Sequence, residues 1–257
     1  MTALSTLAEY LDELLEIRTT PDYGNALNGL QLANQGEITK LAAAVDFSTQ
    51  TITQAIDAGA NLLIVHHGMF WGGLQPLRGA AYVRMKTLIS NDVAVYAAHL
   101  PLDRHPGLGN NPLLASALGL VPTGEFARYK NIFIGVRGES DLPTIDLFER
   151  CKLFAQAHGG DARSTPIFDG QVTRSWAICT GGGASLETLH EAAEMGIDTL
   201  IVGEGPHYTA VEANELGLTV IYAGHYATET LGVRALCAHL SERFTLPWTF
   251  IEAPTGL

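Results

Sequence analysis

The chain has 257 residues, with 15 Lys and Arg against 27 Asp and Glu, a formal net charge of −12 at neutral pH. Hydrophobic residues make up 47% and charged ones 16%, which excludes long disorder, whose signature is low hydrophobicity with dense charge. The acidic balance argues against a nucleic-acid surface, which needs clustered Lys and Arg. The length allows one large domain or two ordinary ones with real cores.

The opening MTALSTLAEYLDELLEIR sets Leu4, Leu7, Leu11, Leu14 and Leu15 at helical spacing with no early positive charge. It predicts an amphipathic helix rather than a secretory leader. Apolar runs such as LLIV at 62–65 are too short to span a bilayer. Cys151, Cys179 and Cys237 are far apart and form no CxxC pair, which points to a reducing compartment. The expectation is a cytoplasmic protein without membrane contact.

Further along, apolar runs alternate with helical patterns, predicting βα units and a largely parallel sheet. A repeat is visible within them. AGANLLIVHHG at 58–68 parallels MGIDTLIVGEG at 195–205, and VAVYAAH at 93–99 parallels TVIYAGH at 219–225. Ser48 precedes Gly59, and Ser185 precedes Gly196, by the same eleven positions, as expected for a helix with a serine N-cap and a glycine just past its end. His99 is followed four positions later by Asp103, and His225 by Glu229. The reading is an α/β fold of two similar lobes by internal duplication, 1–125 and 126–257, facing a central metal-binding cleft, with the C-terminal segment able to pack back on the first lobe. The stretch 121–172 is expected to supply the first strand and helix of the second lobe, the helix over 143–158.

Four of the nine histidines, His66, His67, His99 and His225, fall at ends of the repeated strands, where α/β proteins bind ligands. Asp103, Glu204 and Glu229 occupy comparable positions. Imidazole with carboxylate suits zinc, manganese, iron or similar divalent ions. For His66 and His67 two readings stand: both are ligands splayed at a strand end before Gly68, or one is and the other packs on Phe70 or Trp71. In HLPLD, Pro101 excludes helix interior, so 99–103 is expected to be a loop, stabilised internally or presenting ligands. For Glu229, in the first turn of a helix starting near Thr228, a plain helix-start acid is the alternative. Unpartnered buried carboxylates and imidazoles are costly, and so many candidates exceed one four-coordinate site, so two ions are the economical reading. Gly181, Gly182 and Gly183 are either a tight turn or an anion-holding helix start. The segment 107–120 is read as structural, with Asn110 or Asn111 capping a helix and Pro112 in its first turn. No GxxxxGK[ST] or GxSxG sequence occurs. His105, His158, His190, His207 and His239 are assigned surface or local roles, with His207 the one expected to line a cleft.

HHGMFW (66–71), HLPLD (99–103), CTGGG (179–183), VGEG (202–205) and GHYATE (224–229) together resemble the Nif-three-like dinuclear metal-binding family, whose bacterial members carry the name of type 2 homologues of GTP cyclohydrolase I. The likeness runs from NGLQ at 28–31 to WTFIEAP near the C-terminus. It implies a Nif-three-like fold and two divalent ions per subunit held by His66, His67, Asp103, His225 and Glu229, with Glu229 bridging. It also implies that His99 and Glu204 serve catalysis beside the ions and that subunits form a toroidal homohexamer. Tyr226 stands where some relatives have a second histidine. The implied activity is hydrolysis by a hydroxide bridging the ions, on GTP or another nucleotide or phosphoester. The alternative is a non-catalytic metal-binding or partner-binding regulator.

Overall fold

The computed structural model describes residues 1–257. Two sheets carry the architecture, and a two-stranded piece, Thr2–Ala3 with Glu37–Ile38, flanks the first helix, Leu4–Leu14. That helix buries Leu4, Leu7 and Leu11 as the sequence spacing predicts. By compactness the chain divides into 1–102 with 232–253, and 103–231 with 254–257. Residues 103–125, read from sequence with the first lobe, therefore belong to the second unit. Helix His225–Phe244 continues through the 231/232 boundary.

In the first unit a five-stranded sheet runs in the order Trp248–Phe250, Leu41–Asp46, Leu62–His67, Ala94–Ala97, Gly29–Leu32. All neighbours are parallel except the last pair. Leu41–Val45 and Leu62–Val65 are buried throughout, the continuous apolar reading expected of strands covered on both faces. Ile52, Ala55, Leu63, Val65, Leu88 and Val95 form much of this core, each large side chain contributing roughly 1.5–3 kcal/mol of burial.

In the second unit six strands run Gly124–Tyr129, Ile132–Pro143, Val172–Cys179, Thr199–Val202, Thr219–Tyr222, Arg163–Ser164. The central three, Val172–Cys179, Thr199–Val202 and Thr219–Tyr222, are parallel to one another, and the flanking pairs are antiparallel. The expected single strand after residue 121 is instead an antiparallel hairpin, Gly124–Tyr129 with Ile132–Pro143, followed by helix Thr144–Ala157. Helix Asn110–Ala117 contributes Leu114 and Ala115 to the cluster around Trp176, which is why the second unit begins well before that hairpin.

The paired sequence segments fold alike. Ser48 and Ser185 each cap a helix through a capping box, with Thr51 and Thr188 at the reciprocal position. Both threonine hydroxyls also donate back to the preceding backbone, to Asp46 O at the strand end at 2.8 Å and to Gly183 O in the glycine turn at 2.7 Å. Gly59 and Gly196 close these helices at positive φ, +73° and +69°. No helix is long and apolar enough to cross a membrane.

Candidate metal centre

In the first unit the strand Leu62–His67 extends through both histidines, rather than ending before them, and their ring centroids lie 4.8 Å apart. His66 Nδ1 is 2.8 Å from Ala98 O. A carbonyl only accepts, so the ring carries its proton on Nδ1 and presents a lone pair at Nε2. His67 Nδ1 donates to Asp46 Oδ1 at 2.8 Å, the two residues standing in register on adjacent strands. The His67 ring also lies 5.0 Å from that of Trp71, so packing and nitrogen presentation coexist there.

His99 follows the strand Ala94–Ala97. Its backbone N–H donates to Asn28 Oδ1 at 2.7 Å, and its Nδ1 donates to Asp22 Oδ1 at 2.9 Å. Asp22 Oδ2 accepts from Asn28 Nδ2 at 2.7 Å and from Leu100 N at 3.0 Å. Burial alone would push the Asp22 carboxyl up, but the hydrogen bonds and charge of His99, with Asn28 and Tyr23, hold it below its usual value. One nitrogen from each of His66, His67 and His99 falls within 4.8 Å of the others. Beneath them, Gln31 Oε1 accepts from Met69 N at 2.7 Å. A Cβ at Gly68 would strike the Gln31 carboxamide and Ala97, so only glycine allows the chain to pass so close after His67.

The expected loop 99–103 is a helical turn, Leu100–Asp103. Pro101 is tolerated because first-turn N–H groups have no intrahelical acceptor. In the second unit, Asp103 Oδ1 accepts from Asn110 Nδ2 at 2.8 Å and from Thr180 Oγ1 at 3.4 Å. Asn111 Nδ2 donates to Ile134 O at 2.7 Å, and its Oδ1 accepts from Thr180 N at 2.8 Å. Both asparagines are buried inside helix Asn110–Ala117, whose N-cap is Gly109. The expected asparagine cap is replaced by side chains that fix Asp103 and the strand end Cys179–Thr180.

Helix His225–Phe244 starts three residues before Thr228, which places His225 and Glu229 one turn apart on one face. Their Nε2 and Oε2 are 3.1 Å apart, and His225 Nδ1 donates to Glu204 Oε1 at 2.8 Å. Burial opposes protonation of His225, but Glu229 and Glu204 outweigh it and raise the imidazole to about 9. The surroundings therefore call for positive charge between these carboxylates. Gly181, at φ +62°, lies against Glu229, and a Cβ there would collide with Oε1. Gly183 packs as closely on the Cys179 carbonyl, so the triple glycine serves as a tight turn.

The structure thus brings His66, His67 and His99 together in one unit and Glu204, His225 and Glu229 together in the other, with Asp103 held by Asn110 and Thr180. Sequence reading missed Asp22, Asn28, Asp46 and Asn110, the residues that orient these side chains. The donor set fits a divalent ion: imidazoles each anchored through Nδ1 on a carbonyl or carboxylate, and a buried carboxylate, Glu229, beside one of them.

Fold and site define a two-sheet α/β protein with buried His and Glu groups that could hold a metal ion. The model of the DUF34/NIF3 (NGG1p interacting factor 3) family matches residues 2–255, and the chain belongs to that family. It is 41% identical over 257 residues to a Deinococcus radiodurans protein named GTP cyclohydrolase 1 type 2 homolog, covering 98% of this chain and 93% of the relative. An Escherichia coli protein of the same name is 38% identical over 253 residues, covering 96% and 97%. A solved structure from Thermus thermophilus superimposes with a TM-score of 0.84 at 36% identity, covering 100% of both chains.

Proposed function

We propose that the protein is a hydrolase dependent on two divalent ions, which His66, His67, Asp103, His225 and Glu229 would hold. The observation that carries this reading is the anchoring of each histidine in the set: His66 on Ala98 O, His67 on Asp46 and His225 on Glu204. Fixing Nδ1 on an acceptor orients the ring and raises the basicity of Nε2, the arrangement typical of metal-ligating histidines. When bound, such ions supply Lewis acidity and a nucleophile at neutral pH.

The chain's own groups do the rest. His99, backed by Asp22, holds or moves a proton at Nε2. Glu204 has one carboxylate oxygen committed to His225 Nδ1, so it is a positioning residue. The substrate is a nucleotide or related phosphoester, a reading supported by the name that close relatives carry. Assembly as a homohexamer in the cytoplasm belongs to the same proposal; Cys151, Cys179 and Cys237 are all buried free thiols, which suits a reducing compartment.

The test is chelation followed by reconstitution with manganese, zinc or ferrous iron, and assay of GTP ring opening and phosphoester cleavage. Turnover is expected to follow metal content and to vanish in His67→Ala and Glu229→Ala. Full turnover by the metal-free protein would contradict the proposal. Metal binding without turnover on any nucleotide, phosphoester or amide would favour the non-catalytic metal-binding reading.

A further inference from the structure

The second unit contains a cavity of about 500 Å³ lined by Arg163, Ser164, His207, Tyr222, Asp161 and Glu204 among others. That volume lies in the range of small-ligand sites. Arg163 sits on the edge strand Arg163–Ser164, paired in register with Tyr222. Its side chain makes no hydrogen bond or ion pair, although Asp161 lines the same cavity. The exposed His207 side chain is likewise uncommitted and opens helix His207–Glu215. In a chain of net charge −12, an arginine and a histidine left without carboxylate partners in one concavity form a distinct anion-receptive group. A planar guanidinium matches phosphate oxygens two at a time.

The rest of the lining mixes apolar surface from Pro206, Ala210 and Leu257 with polar groups. Tyr222 OH is 3.0 Å from Thr209 Oγ1. Asp161 and Glu204 are carboxylates suited to accept from hydroxyl or N–H groups of a ligand. Glu204 also holds His225 Nδ1 at 2.8 Å, so the cavity adjoins a residue proposed above to bind metal.

We infer that this cavity binds a phosphate monoester of a small hydroxyl-bearing molecule, with Arg163 and His207 taking the phosphate and the carboxylates taking the polar body. The inference deepens the proposed function and rests on it for the identity of the neighbouring site. Both a nucleotide and a sugar phosphate have this chemistry.

The test is calorimetric titration of the manganese-loaded full chain with GMP and with glucose 6-phosphate, each against guanosine or glucose as the unphosphorylated partner. At least one ester should bind, with its unphosphorylated partner ~10–100-fold weaker, the range for charge-assisted hydrogen bonds. Arg163→Ala and His207→Ala should each weaken that ester about tenfold and leave metal content unchanged. Binding of GMP alone identifies a nucleotide site; equal or better binding of glucose 6-phosphate identifies a sugar-phosphate site. Failure of both esters to bind, or wild-type affinity in Arg163→Ala, would overturn the inference. Metal analysis of the same samples separates the two claims. Arg163-dependent binding to a chain that takes up no metal would sink the dinuclear reading alone, while full metal content without Arg163 dependence would sink the cavity alone.

Discussion

Glu204 Oε1 accepts the Nδ1 hydrogen of His225 at 2.8 Å. Asp46 serves His67 at the same distance in the other unit. If these carboxylates position metal ligands, Glu204→Gln and Asp46→Asn should each weaken metal affinity by ~10–100-fold. The fold should survive, because both carboxylates are partly exposed. Calorimetric metal titration together with circular dichroism checks both halves of the expectation.

Gly181 carries positive φ and touches Glu229. Gly181→Ala should therefore cost about 1 kcal/mol or more in stability through the backbone alone. Displacement of the Glu229 carboxylate should also abolish metal loading. Gly59→Ala serves as the comparison: it shares the positive φ but meets nothing within 4 Å. It should lose stability and keep its metal, as urea unfolding and metal analysis would show.

The Asp22 carboxyl is held below its ordinary 3.8 chiefly by His99, against the opposing effect of burial. A depressed folded value means the contribution is present above the unfolded value and is lost as pH falls through the folded one. In metal-free protein, stability should therefore drop on acidification below 3.8. The drop should be smaller in Asp22→Asn, although that variant is less stable at neutral pH. Urea unfolding at both pH values measures the difference.

The three cysteines are buried, and burial pushes the Cys151 thiol up to about 12 and raises Cys179 and Cys237 as well. Since the thiolate is the reactive form, Ellman's reagent at mildly alkaline pH should leave all three unlabelled in the native protein. All three should react once guanidinium unfolds it.

The parallel strands were legible because Leu41–Val45, Leu62–Val65 and Leu200–Val202 are unbroken apolar runs, and the helices after Ser48 and Ser185 because caps and closing glycines are local chemistry. The histidines were legible because His66 and His67 close the run Leu62–Val65, and His99 and His225 follow the strands Ala94–Ala97 and Thr219–Tyr222. The hairpin over 124–143 was not: its strands are only partly buried, and the apolar run IFIGV at 132–136 marks one strand of the pair while GEFARY at 124–129 leaves the other unmarked. Asp22 and Asp46 were not legible either, since their importance comes from pairing with His99 and His67 over separations of 77 and 21 residues. Asp46 left one trace, its place at the end of a buried strand in register with His67. The helical turn at Leu100–Asp103 was obscured by Pro101, which breaks helix interiors but not first turns.

The most direct measurement is elemental analysis of the protein equilibrated with manganese or zinc and freed of excess metal, for the natural sequence beside His67→Ala and Glu229→Ala. Two ions per chain are expected in the natural sequence, with both variants falling to one or none while remaining folded. A natural chain that retains no metal, or variants that retain the full complement, would contradict the account.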